Sequence, residues 1–260
     1  MEIENKKARQ IIFLFVSLLL IFSLKINLSM SAESSAKEIL DKIDDLWRGN
    51  SSISIITMTV KKESFKRTLT LKSYTKGKDL SLIIIKKPLK EAGISTLKVK
   101  NNIYNYLPKT GKIIKIPSSM MMGSWMGSDF TNDDLVKEST LFDDYTSTLI
   151  EPPGADAGSY YVELKPKQQT ASVWGRIVLV VRKSDFIPIR EEYYDERGNK
   201  MRVLEFKDVK ELGGRKMPTV LELTPLNKEG KKTVIRYIKA EFDMKLDPAT
   251  FTLRNLRKRR

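Results

Sequence analysis

The chain has 260 residues, 41% hydrophobic and 30% charged, a composition that folds and buries a sizeable core. It contains no cysteine and no histidine, which excludes disulfides, thiolate nucleophiles, the usual zinc sites, haem ligation and Ser-His-Asp catalysis. The formal net charge is +15; the basic residues are dispersed, except in the tail "LRNLRKRR", and form no nucleic-acid reading module, so the expected partner of this charge is an anionic membrane surface or simply solvent.

The first thirty residues have the form of an export signal. "MEIENKKARQ" carries Lys6, Lys7 and Arg9, the run from Ile11 to Leu24 is largely apolar, and "SMSAE" supplies small residues for cleavage, with Ser31 or Ala32 the last residue removed. An uncleaved anchor is the alternative, but fourteen residues fall short of the ~20 that span a bilayer. Removing residues 1–32 takes away four basic and two acidic residues and leaves a charge of about +13, so the basicity belongs to the mature chain. The expectation is one exported, periplasmic domain over 33–260.

Its first element is a helix. In "SSAKEILDKIDDLWRG" the residues Ile39, Leu40, Ile43, Leu46 and Trp47 make one stripe at the 3.6-residue period, and Gly49 lies where the helix should stop. From Ser51 the pattern changes to short β-branched runs, from "SISIITMTV" to "TVIRYIKAEF", separated by turn signals such as "TKGKD", "PKTGK", "ERGNK", "LGGRK" and "NKEGKK". The prediction is a mainly β, α+β fold: a large curved antiparallel sheet of about ten to twelve strands. Such a sheet curls into an unclosed β-barrel whose interior needs a plug, and only the N-terminal helix and the segment near 118–140 are available to close it.

Motifs for chemistry are weak. The neighbouring acids Asp44/Asp45, Asp133/Asp134, Asp143/Asp144 and Glu191/Glu192 diverge on either a helix or a strand. Ser-x-x-Lys spacings occur at Ser34, Ser73 and Ser95, as chance provides in a chain rich in both residues, and Lys109-Thr110-Gly111 has the look of a hairpin turn. Asp129, Thr131 and Asp133 alternate like calcium ligands, but Asp134 stands where an EF-hand loop needs glycine. Thr131 as N-cap with Asp134 three residues on is close to a capping box. No catalytic residue, metal ligand or cofactor is expected.

The stretch "SSMMMGSWMGSDFTNDDL" (118–135) remains. Met120, Met121, Met122, Trp125, Met126 and Phe130 follow neither period, and Gly123 and Gly127 break any long element. Two readings stand: a loop packed over the sheet as ordinary core, or an adaptable apolar surface, for which unbranched, polarizable methionine is suited.

"NNIYNYLPKTGKIIKIPSSMMMGSWMGSDFTNDDL" (101–135), together with "KKPLKEAGISTL" (86–97) and "FTLRNLRKR" (251–259), resembles the outer-membrane lipoprotein-sorting, LolA-like family, in the branch marked by the Met-Gly-Ser-Asp-Phe-Thr block, here Met126–Thr131. The resemblance implies an unclosed antiparallel barrel with helices across its concave apolar face. It also implies a non-enzymatic periplasmic carrier of lipoprotein acyl chains or lipids, with an inner-membrane transporter as donor and an outer-membrane acceptor. The lipid-binding lid would comprise Met120, Met121, Met122, Trp125, Met126, Phe130 and Leu135, with Ile43 and Trp47 from the helix. The alternative, from another class, is an envelope sensor or interaction module that reads lipid or a protein partner for a membrane-bound regulator or transporter.

Overall fold

The computed structural model describes residues 36–46, 49–137, 141–168, 170 and 172–257; the predicted export signal and Trp47 lie outside them. Helix α1 occupies 36–46. Thirteen strands follow, one for each β-branched run: β1 Ser51–Lys62, β2 Phe65–Lys76, β3 Leu80–Lys87, β4 Ser95–Val99, β5 Asn102–Leu107, β6 Lys112–Lys115, β7 Tyr145–Ile150, β8 Ser159–Pro166, β9 Arg176–Arg182, β10 Pro188–Tyr194, β11 Lys200–Leu212, β12 Arg215–Pro225 and β13 Lys232–Phe242. The expected ten to twelve fell short because runs as brief as "KIIK" also pair. Two short helices, α2 Asn132–Lys137 and α3 Leu141–Asp144, separate β6 from β7, and α4 Leu253–Leu256 ends the described chain. Among the described residues no helix is long and apolar enough to cross a membrane.

All strands belong to one antiparallel sheet in the order β6-β5-β4-β3-β2-β1-β13-β12-β11-β10-β9-β8-β7. The first strand pairs with the last, Ser52 opposite Phe242 and Lys61 opposite Lys232, with a register shift at Ile55/Ile56. A bulge of this kind bends a strand and increases its twist. The two edges left over are β6 and β7, so the chain between them, 116–144, has to pass from one edge of the curled sheet to the other. That connection is the predicted lid segment, and its place follows from topology.

Burial in β1 alternates, with Ser52, Ser54, Ile56, Met58 and Val60 facing the concave side. In β3 the run "LIII" is buried on both faces. Ile83 and Ile85 join a concave cluster with Met58, Leu69, Leu71 and Trp125. Leu82 and Ile84 join a convex one with Leu97, Tyr106, Phe251 and Leu256, where the C-terminal segment lies against the sheet. A strand covered on both faces loses the polar alternation, which explains a continuous apolar run. Helix α1 places Ala36, Ile39, Leu40 and Ile43 against Val162, Leu164, Leu179, Leu204 and Leu223 on the concave face of the other half. Gly49, at φ +53°, takes the left-handed conformation expected where the helix stops.

Candidate functional site

The concave face holds a cavity of about 240 Å³ between the two halves of the sheet. One wall comes from β1–β4, with Ser52, Ser54, Ile56, Ser73 and Ile83. The opposite wall comes from β9–β13, with Ile177, Leu204, Leu221, Leu223 and Ile235. The roof combines Ile43 of α1 with Trp125, Phe130 and Leu135 of the crossing segment. Of the lid residues read from sequence, these four therefore reach the cavity. Met126 packs beside the roof on the Met58–Leu69 cluster. Met121 is half-buried, whereas Met120 and Met122 are 57% and 43% exposed and do not line the space. Trp47 lies outside the described residues.

The roof is built by local hydrogen bonds. Trp125 N–H donates to the Phe130 carbonyl at 2.8 Å and Ser128 N–H to the Trp125 carbonyl at 2.9 Å, which folds 125–130 into a tight loop. Its return requires left-handed backbone at Met126 and Gly127, φ +50° and +74°, a conformation that glycine adopts at little cost. The capping box expected at Thr131 is present: Asp134 N–H donates to Thr131 Oγ1 at 3.1 Å, and Thr131 N–H donates to Asp134 Oδ2 at 2.8 Å. The Asn132 amide donates to the Met120 and Gly123 carbonyls at 3.1 and 3.2 Å and holds the methionine turn onto the start of α2.

Four attachments tie this roof to the sheet. Trp125 Nε1 donates to Thr96 Oγ1 on β4 at 3.1 Å. Arg67 of β2 donates to the Met126 carbonyl at 2.7 Å and is itself paired with Glu91. Thr233 of β13 donates to Asp129 Oδ2 at 2.7 Å and accepts from Asp129 N–H at 2.9 Å. Arg202 of β11 makes two parallel hydrogen bonds to Asp134, at 2.9 and 2.6 Å. The roof thus rests on both halves of the sheet.

The Arg202–Asp134 pair is the chemically distinctive part. Arg202 is buried, and its guanidinium lies 4.5 Å from the Trp174 ring centroid and 4.1 Å from that of Tyr193. Such stacking suits the weakly hydrated, planar guanidinium. Its Nε has no hydrogen-bond partner among the described residues. Burial alone would raise the Asp134 pKa, but the Arg202 charge and hydrogen bonds, with those from Thr131, hold it below the ordinary carboxylate value. Burial pushes the Tyr193 phenol well above its usual range, helped by Glu191, which accepts its hydroxyl hydrogen bond. These groups have the form of a structural ion pair: each charge is consumed by a neighbour. Among the described residues no group of three or more acidic side chains has the arrangement of a metal site.

A protein-family model described as "-like: Uncharacterized protein" matches residues 77–258, which include the crossing segment and the full length of eleven strands, β3 to β13. The chain belongs to that family. No curated protein matches it by sequence. Among solved structures it is similar to a DUF1329-family protein from Desulfovibrio piger, at 24% identity over 86% of this chain and 99% of that one, with a TM-score of 0.77. It is similar also to a domain named for outer membrane lipoprotein sorting from Vibrio parahaemolyticus, at 19% identity over 88% and 99%, TM-score 0.73. A LolA-superfamily protein from Nitrosomonas europaea gives 19% over 85% and 98%, TM-score 0.70. At these identities the likeness is one of fold, and the fold is LolA-like.

Sequence reasoning missed Arg202, which is 68 residues from its partner Asp134 and has no local signal. It missed the serines on the β1–β2 wall too, although a signal existed. If Ile56, Met58 and Val60 face inward, the two-residue period puts Ser52 and Ser54 on the same face.

Proposed function

We propose that the protein is a non-enzymatic carrier, in the periplasm, of lipids or of lipoprotein acyl chains bound for the outer membrane. The observation that carries this reading is the roofed cavity on the concave face, a predominantly apolar space whose cover is chiefly a connection between two sheet edges rather than part of the sheet itself. The LolA-like fold supports it. A cover attached through a few side-chain pairs can be displaced while the strand ladder stays intact, which a carrier needs in order to load and release.

The energetics suit a carrier. Withdrawing a sixteen-carbon chain from water is worth ~0.8 kcal/mol per CH₂, ~12 kcal/mol in all, so even partial enclosure gives firm binding. The donor and acceptor would be an inner-membrane transporter and an outer-membrane acceptor. The charge of the chain favours transient contact with an anionic membrane surface on the way. Native mass spectrometry of gently purified mature protein should find stoichiometric co-purified lipid or acylated peptide. Preparations made without any delipidation step that are consistently empty, and that take up no lipid from vesicles, would remove the carrier reading.

A further inference from the structure

The two walls of the cavity differ in chemistry. Across the β1–β4 wall, Ser52 lies opposite Thr75, Thr75 opposite Ser81 and Ser81 opposite Lys98, so one cross-strand row runs through four strands over about 14 Å. Ser54 and Ser73 form the start of the next row, and all six of these residues line the cavity. Ser52 and Thr75 hydroxyls bond each other at 2.7 Å. The facing wall is mainly aliphatic and aromatic, and its charged members, Arg202 and Glu191, are held by Asp134 and by the Tyr193 hydroxyl. A carrier selecting for hydrocarbon alone gains nothing from five hydroxyls on its inner face, since each loses hydration there.

The hydroxyls also lie at the mouth. Of the residues that line the cavity, only Gly77 and Lys78 are exposed, and they form the β2–β3 turn next to Thr75 and Ser81. The other end is shut by Trp125, which is 2% exposed. An amphiphile entering there would place its chain toward Trp125 and its head against the hydroxyl row. The charges on the lining argue for a neutral head. Asp44, Asp133, Asp134 and Glu191 outnumber Lys78, Lys98 and Arg202. The bases are also engaged: Arg202 with Asp134, Lys78 with Asp143, and Lys98 with the carbonyls of Lys78 and Val136.

We propose that the Ser52–Thr75–Ser81 row with Ser54 and Ser73 is a subsite for an uncharged, ester-linked glycerol head, and that the acyl chain runs inward to Trp125. This rests on the carrier reading and names the ligand class for it. Ester carbonyls need donors once they leave water, and glycerol hydroxyls need both donors and acceptors; serine and threonine hydroxyls supply both.

The test compares three probes on the full mature chain: 1-palmitoylglycerol, palmitate, and the wholly apolar dye 1-N-phenylnaphthylamine. In wild type the glycerol ester should bind more tightly than palmitate. In Ser54→Ala/Ser73→Ala the ester should lose about tenfold more affinity than the dye. Equal losses for ester and dye, or a wild-type preference for palmitate, would overturn the head-group subsite while leaving the carrier reading in place. Failure of wild type to bind any of the three would remove both. Orientation gives a second measurement independent of the serines. With Trp125 as the sole tryptophan, in Trp47→Phe/Trp174→Phe, glycerol esters of doxyl-stearic acid should quench fluorescence more from position 16 than from position 5. The reverse order would overturn the tail-inward arrangement.

Discussion

Met120–Met122 and Trp125–Leu135 are two parts of one apolar stretch, and they do different things. The methionine turn stands largely in solvent, held from beneath by the Asn132 amide. The second part carries a buried indole, a capped helix start and three of the four roof residues over the cavity. Methionine content alone therefore does not mark the ligand-facing surface. What marks it is attachment: the part that reaches the cavity is also the part tied to β2, β4, β11 and β13.

The largest effect expected on this division comes from the Arg202–Asp134 pair. Arg202→Met leaves a buried carboxylate uncompensated and should destabilise the fold by about 3–5 kcal/mol in urea unfolding, whereas Arg202→Met with Asp134→Leu should recover most of that loss. If the single substitution cost less than ~1 kcal/mol, the roof would not depend on this attachment. The same pair sets a pH dependence. Because the folded Asp134 pKa lies below its unfolded value near 3.8, its stabilisation is fully present above that value and is lost as pH falls through the folded pKa. Unfolding free energies measured from pH 6 downward should therefore decline more steeply below about pH 4 in wild type than in Asp134→Asn.

Trp125 comes next. Trp125→Ala removes a buried ring and the hydrogen bond to Thr96, for an expected loss of about 3 kcal/mol, at the low end for such a change because the emptied space adjoins an existing cavity. Paired loss of phenylnaphthylamine binding would place the indole on the ligand path. Unchanged binding with full loss of stability would make it core alone.

These residues show what could and could not be read from the chain. Strand positions were legible because alternation and turn residues are local, and so was helix α1, whose stripe at Ile39, Leu40 and Ile43 is buried as its period requires. The capping box at Thr131 was legible for the same reason. The cavity was not. Its roof exists because β1 pairs with β13 and leaves β6 and β7 as edges, a closure between residues nearly two hundred positions apart. The partition of the methionine stretch depends on the 2.8 Å bond from Trp125 to Phe130 and the Asn132 clamp, whose geometry no periodicity encodes.

A smaller effect is expected at the cap itself. Thr131→Ala removes the acceptor for Asp134 N–H and should cost about 1 kcal/mol, and the accompanying loosening of α2 should appear as faster amide exchange at Asp133 and Asp134 with little change in the strands. Equal acceleration throughout the sheet would mean that roof and sheet open as one unit, against the separation drawn above.

The smallest effect on stability is expected at the exposed turn, and there the comparison is sharpest. Met120→Ser/Met122→Ser should alter unfolding free energy by no more than ~0.5 kcal/mol, since both side chains already face water. Affinity for a ligand held in the cavity should also stay close to wild type, because neither residue lines it. If the turn serves the carrier at a membrane, its role lies outside the cavity, in adaptable apolar contact with an acceptor surface. The expected signature is slower transfer of bound lipid to anionic vesicles at unchanged equilibrium affinity. A fall in affinity with an unchanged transfer rate would move the methionines back beneath the roof, and would require the turn to fold inward when ligand is bound.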